Sequence, residues 1–206
     1  MTNAVVVAVR QMAWAGLVFA LTGCVNAQSL VSRDTLLERK VVTVGEQEIT
    51  IGKAAGYCIR DRQSRYTADG VFVVMGPCAP EDEAAPKGLV VVNVLASDPF
   101  EGDMDPKNLD AFFKTPEGRT ALSAKGDGSA VEVLGTMVSD GVYVVHSRDA
   151  NGPVIPHTSD EQWRSFSMVS ERLVSVSIIS FTDSLMPAGQ IFSQMEEIAT
   201  TFRVLN

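Results

Sequence analysis

A series of short β-branched runs, each closed by a turn signal, constrains this chain's fold more than any other feature. Val41-Val42-Thr43-Val44 and Ile49-Thr50-Ile51 flank the polar Gly45-Glu46-Gln47-Glu48, the pattern of a hairpin. Val71-Phe72-Val73-Val74-Met75 reads as a buried strand stopped by Gly76-Pro77, and Leu89 to Ala96 as a further apolar strand. Ala130 to Val138 and Val142 to His146 flank Ser139-Asp140-Gly141, a second hairpin signal. A third is Trp163 to Val169 and Leu173 to Phe181 around Ser170-Glu171-Arg172. Successive hairpins, with few helical crossovers between strands, predict an antiparallel sheet.

Two segments carry a helical period instead. Pro106 to Ala124 places Leu109, Phe112, Phe113 and Leu122 in a partial stripe that Pro116 and Gly118 weaken. Ala188 to Val204 sets Ile191, Phe192, Met195, Ile198, Ala199 and Phe202 at helical spacing. The expected fold class is α+β, an antiparallel β-sheet with flanking helices that include an amphipathic C-terminal helix. Paired strands from Trp163 to Phe181 before a terminal helix resemble the PsbP-like α/β sandwich of photosystem II extrinsic proteins and certain small bacterial lipoproteins. That likeness spans roughly residues 40–206, rests on pattern, and implies a fold without an activity.

The N-terminus reads as an address. Met12 to Leu21 is an apolar stretch of ten residues, half of the ~20 a spanning helix needs, and suits a signal-peptide core. Leu21-Thr22-Gly23-Cys24 follows directly and resembles the lipobox of bacterial lipoproteins. The resemblance implies that the Cys24 thiol is diacylglycerylated, that the chain is cut before it, and that the new amino group is acylated. Acylated Cys24 would then hold the protein on a lipid membrane, more than one chain being needed for stable anchoring. Val25 stands where such lipoproteins commonly carry an Asp for inner-membrane retention. The analogy therefore points to the outer membrane, facing the periplasm. Two alternatives stay open: cleavage before Gln28, which releases a soluble periplasmic protein, and an uncleaved segment. The expected division is a signal peptide over 1–23, a membrane-proximal tether over 24–39 and one α+β domain over 40–206.

Of the 206 residues, 17 are Lys or Arg and 25 Asp or Glu, a net charge of −8. That balance argues against nucleic acid, whose affinity comes from cations neutralising phosphates, and against a polybasic grip on anionic lipid. With Cys24 consumed by lipid, Cys58 and Cys78 remain as an even pair in an oxidising compartment. A structural disulfide is expected there, the alternative being two buried free thiols.

Chemistry is sparse. There is no Gly-x-Ser-x-Gly elbow, P-loop, dinucleotide fingerprint or His-Glu-x-x-His motif, and Gly126-Asp127-Gly128-Ser129 reads as a turn. His146 and His157 can be imagined with Asp149 or Asp160 around a metal, but without a defined ligand spacing. Asp98, Glu101, Asp103 and Asp105 offer hard oxygen ligands, yet lack the EF-hand spacing. No catalytic residue, cofactor or metal site is therefore assigned. The expectation is an envelope lipoprotein with a non-enzymatic binding, accessory or structural role, beside an envelope protein partner. A hydrolase using a serine with His146 or His157, and a small-solute or metal-binding module, are the alternatives.

Overall fold

A computed structural model of the chain describes residues 36–67, 70–95, 104–139, 142–153 and 155–206. Cys24, Asp98, Glu101 and Asp103 lie outside the described residues. The compact unit that holds the described residues runs Asp34–Asn206.

The fold is α+β. Its strands are β1 (Leu36–Leu37), β2 (Arg39–Val44), β3 (Gln47–Gly52), β4 (Tyr57–Arg60), β5 (Arg65–Thr67), β6 (Gly70–Pro77), β7 (Gly88–Leu95), β8 (Val131–Ser139), β9 (Val142–Asp149), β10 (Glu161–Val169) and β11 (Arg172–Ser180). The helices are α1 (Pro106–Phe113), α2 (Pro116–Leu122) and α3 (Ala188–Leu205). The main sheet has the order β1-β4-β6-β7-β11-β10-β9-β8, with β5 also on β6, and every pairing in it is antiparallel. Hairpin β2-β3 forms a separate ribbon.

The period of two sorts the side chains of this sheet into two faces. Val73, Val92 and Val176 are Cα partners in one row, and all are buried. They pack beneath α3, whose Ile191, Met195, Ile198 and Phe202 are the stripe expected from its spacing. The β2-β3 ribbon completes this layer through Val42, Val44, Ile49 and Ile51. Polar contacts fix the ribbon to the helix: Asn206 Oδ1 accepts from Thr50 N at 2.8 Å, and its Nδ2 donates to Thr50 O at 3.1 Å.

The opposite face has a smaller core, where α1 and α2 pack over β8 and β9. Phe113 stacks between Tyr143 and Phe166, with ring centroids 5.8 Å and 5.0 Å away. The helical stretch expected over Pro106 to Ala124 is two helices. Pro116 opens the second, and the Thr115 hydroxyl caps it by accepting from Gly118 N at 3.0 Å. The corner is tight, since a Cβ on Gly118 would lie 2.0 Å from the Phe112 carbonyl oxygen.

Strand β6 runs through Gly76-Pro77 rather than stopping before them. The pairing explains this: β4 brings Cys58 opposite Gly76 and Tyr57 opposite Pro77. A disulfide joins Cys58 to Cys78 over a Cα separation of 4.9 Å, and Cys78 N donates to Gly56 O at 2.9 Å. The bridge thus fastens β4 beside the core strand β6.

Candidate functional site

The two faces of the sheet are covered unequally. The path of eight strands is about 34 Å wide at ~4.8 Å per step. Helices α1 and α2, of 8 and 7 residues, are only ~12 and ~10 Å long. They pack over β8 and β9, and a cleft of about 840 Å³ opens between them and the face formed by β6, β7, β11 and β10. Small-molecule sites are typically ~300–1,000 Å³.

Register builds the cleft floor. Phe72, Asn93, Ser175 and Phe166 form one row across β6, β7, β11 and β10. Val91, Ser177 and Arg164 form the next. Met104, Leu109 and Phe112 line the helical side. Two large apolar side chains at the cleft stay in contact with solvent, Leu95 at 48% and Phe112 at 43% exposed. The lining is mainly apolar, with a few convergent polar groups.

Arg164 is the charge in that floor. Its Nε donates to Ser177 Oγ at 2.9 Å, one terminal nitrogen to Ala121 O at 3.0 Å and the other to Gln162 Oε1 at 3.0 Å. All three acceptors are neutral. A guanidinium has five N–H groups, so one on each terminal nitrogen has no partner among the described residues. Burial pushes the Arg164 pKa down to about 10, with no carboxylate opposing the shift. The group still carries its proton at neutral pH.

Two carboxylates also line the cleft, and both are engaged elsewhere. Buried Asp149 accepts from Ser123 Oγ at 3.0 Å, Ala124 N at 3.2 Å and Asn151 N at 3.0 Å, tying the end of α2 to β9. Asp160 lies 4.0 Å from Arg148 Nε.

The histidines singled out in the sequence lie elsewhere. His146 is the Cα partner of Trp163, and the two rings stack at 3.9 Å on the α3 side of the sheet. Its Nε2 is 2.9 Å from Glu161 Oε2, and Glu161 also accepts from Arg148. These bonds hold the Glu161 carboxyl below the usual range, the Arg148 guanidinium contributing most. His157 sits in a loop at φ 65°, its carbonyl accepting from Thr182 N at 3.1 Å. Neither histidine lines the cleft. Asp105 caps α1, accepting from Lys107 N at 2.8 Å. Among the described residues no group of three His, Cys, Asp or Glu side chains is placed to hold a metal, and no helix is long and apolar enough to cross a membrane.

No family model, curated protein or solved structure matches this chain.

Sequence reasoning missed Arg164 and its surroundings. Gln162, Arg164, Ser175 and Ser177 alternate with apolar residues, which is also how a strand's solvated face reads. A cation at the middle of a strand, opposite a serine on the next, was the available signal.

Proposed function

We propose that this protein is a lipid-anchored envelope protein with a non-enzymatic role, whose domain binds a small, mainly apolar molecule in the cleft beneath α1 and α2. The observation that carries this reading is the cleft itself: its volume suits a small molecule, and its apolar walls converge on a few polar groups. The anchor is acylated Cys24 and the compartment the periplasmic face of the outer membrane, supported by the lipobox resemblance. The PsbP-like sandwich belongs to the same proposal.

Saturable binding of radiolabelled decanol, a neutral apolar probe, tests the reading. The full chain is held in phosphatidylcholine nanodiscs, with binding to empty discs subtracted. Saturable uptake is expected, and Ser175→Trp, which fills the cleft floor, should remove it. Absence of saturable uptake, or uptake unchanged by Ser175→Trp in a variant that melts like the wild type, overturns it. For the anchor, the Cys24→Ala variant should lose acyl labelling and leave the membrane fraction. A wild-type chain that begins at Gln28 without an acyl group contradicts the anchor.

A further inference from the structure

The ligand's chemical class follows from Arg164, the one cation among the described residues of the cleft, an inference that rests on the binding role just proposed. We propose that the cleft takes a monoanionic amphiphile, with its carboxylate on the Arg164 guanidinium and its aliphatic tail against Phe72, Leu95, Leu173 and Phe112.

Three observations converge on this class. Arg164 is held by Ser177, Gln162 and the Ala121 carbonyl, which orient it without neutralising it. A cation half-buried without an anion still pays part of its desolvation cost, and that cost falls when an anion arrives. Among the described residues one N–H on each terminal nitrogen is left to meet it, and charge-assisted bonds from a guanidinium to a carboxylate are among the stronger hydrogen bonds. The second observation concerns how much charge the site accepts. Among the described residues Arg164 is the one cationic side chain lining the cleft, and the other charged liners, Asp149 and Asp160, are acids. A single negative charge is matched, whereas a dianionic phosphate head would meet one cation and two carboxylates. The third is the wall. Phe72, Leu95, Leu173 and Phe112 give an aliphatic tail an apolar surface, and Leu95 and Phe112 are still exposed. Covering them removes apolar area from water.

The test compares probes that share a tail and differ in the head: decanoate, decanol, decylamine and decyl phosphate, bound to the full chain in phosphatidylcholine nanodiscs at pH 7.5. Decanoate is expected to bind at least about tenfold tighter than decanol, the gain of a charge-assisted bond over a neutral one. Decylamine should bind more weakly than decanol, and decyl phosphate more weakly than decanoate. Arg164→Lys should keep a preference for the acid over the alcohol, and Arg164→Gln should abolish it.

Saturable decanol binding with no preference for decanoate overturns the anionic head and leaves the binding role standing. Decyl phosphate binding tighter than decanoate overturns the single-charge match. If neither decanol nor decanoate saturates, the binding role fails as well. The wild-type comparison decides the question even where Arg164→Gln does not fold.

Discussion

Arg164 and Ser177 face each other on adjacent strands of the sheet, and Arg164 Nε donates to the Ser177 hydroxyl at 2.9 Å. Ser177 is buried, so the bond is made beneath the cleft rather than at the protein surface. It holds the guanidinium by its inner nitrogen and leaves the terminal nitrogens directed to Ala121, Gln162 and the cleft.

Replacing Ser177 tests how much the cation depends on that bond. Ser177→Ala leaves a half-buried charged donor without its acceptor, a loss toward the lower end of the ~1.5–3 kcal/mol of a hydrogen bond to a charged group. Surface substitutions usually stay within about 0.5 kcal/mol. Urea unfolding should therefore give a lower midpoint with an unchanged slope. A shift inside the surface range would show that Arg164 does not rely on Ser177.

The Cys58–Cys78 bridge closes a loop of sequence separation 20. The chain-entropy relation gives ~3 kcal/mol for a loop of that size. Cys58→Ala and Cys78→Ala should each lower the unfolding free energy by about that amount, and the double variant should be little worse than either. Additive losses, or two free thiols alkylated in the unreduced, denatured protein, would contradict the bond.

The turn between β10 and β11 is built from unusual residues. Ser170 and Glu171 have φ of 48° and 62°, the left-handed region that two-residue hairpin loops require and that Asn and Gly fill most readily. An L-residue there costs roughly 1–2 kcal/mol, while glycine's extra freedom in the unfolded chain returns about 0.4–1 kcal/mol of that. Glu171→Gly should raise stability by about 0.5–1 kcal/mol in a thermal or urea melt. A destabilised variant would mean that the Glu171 side chain contributes more than its backbone costs.

Acid should expose the role of Glu161. Arg148, then His146, hold its folded-state pKa below the ordinary carboxylate value. A depressed acid contributes stability that is fully present above the unfolded pKa of about 4.5 and is lost as pH falls through the folded value. The thermal midpoint of wild type should exceed that of Glu161→Gln at pH 6, and the gap should close toward pH 3. A gap that stays constant with pH would assign the difference to packing. The group is partly exposed, so salt should also shrink the gap.

The longer strands were legible because their pattern is local, whereas the short β1 and β5 were not. Val71 to Met75 and Leu89 to Ala96 are β-branched and apolar, and little but a buried strand fits them. The C-terminal helix was legible for the same reason, as Ile191, Met195, Ile198 and Phe202 repeat at its period. The bridge of Cys58 to Cys78 followed from counting thiols. What escaped depended on long-range placement. The split at Pro116 needed the α1–α2 corner, where Gly118 meets Phe112. The extension of β6 through Pro77 needed β4 as its neighbour. The cleft escaped most completely, because polar alternation in β10 and β11 reads the same whether the face meets bulk water or a roofed cavity. Only the shortness of α1 and α2 against the width of the sheet distinguishes the two.

Methyl NMR of the full chain in nanodiscs, titrated with decanoate, locates a ligand most directly. The expected result is saturable shifts in the methyls of Leu95, Leu173 and Ile179, which line the cleft, with Ile191 and Ile198 under the opposite face unmoved. Shifts confined to the α3 face, or none that saturate, contradict a ligand site beneath α1 and α2.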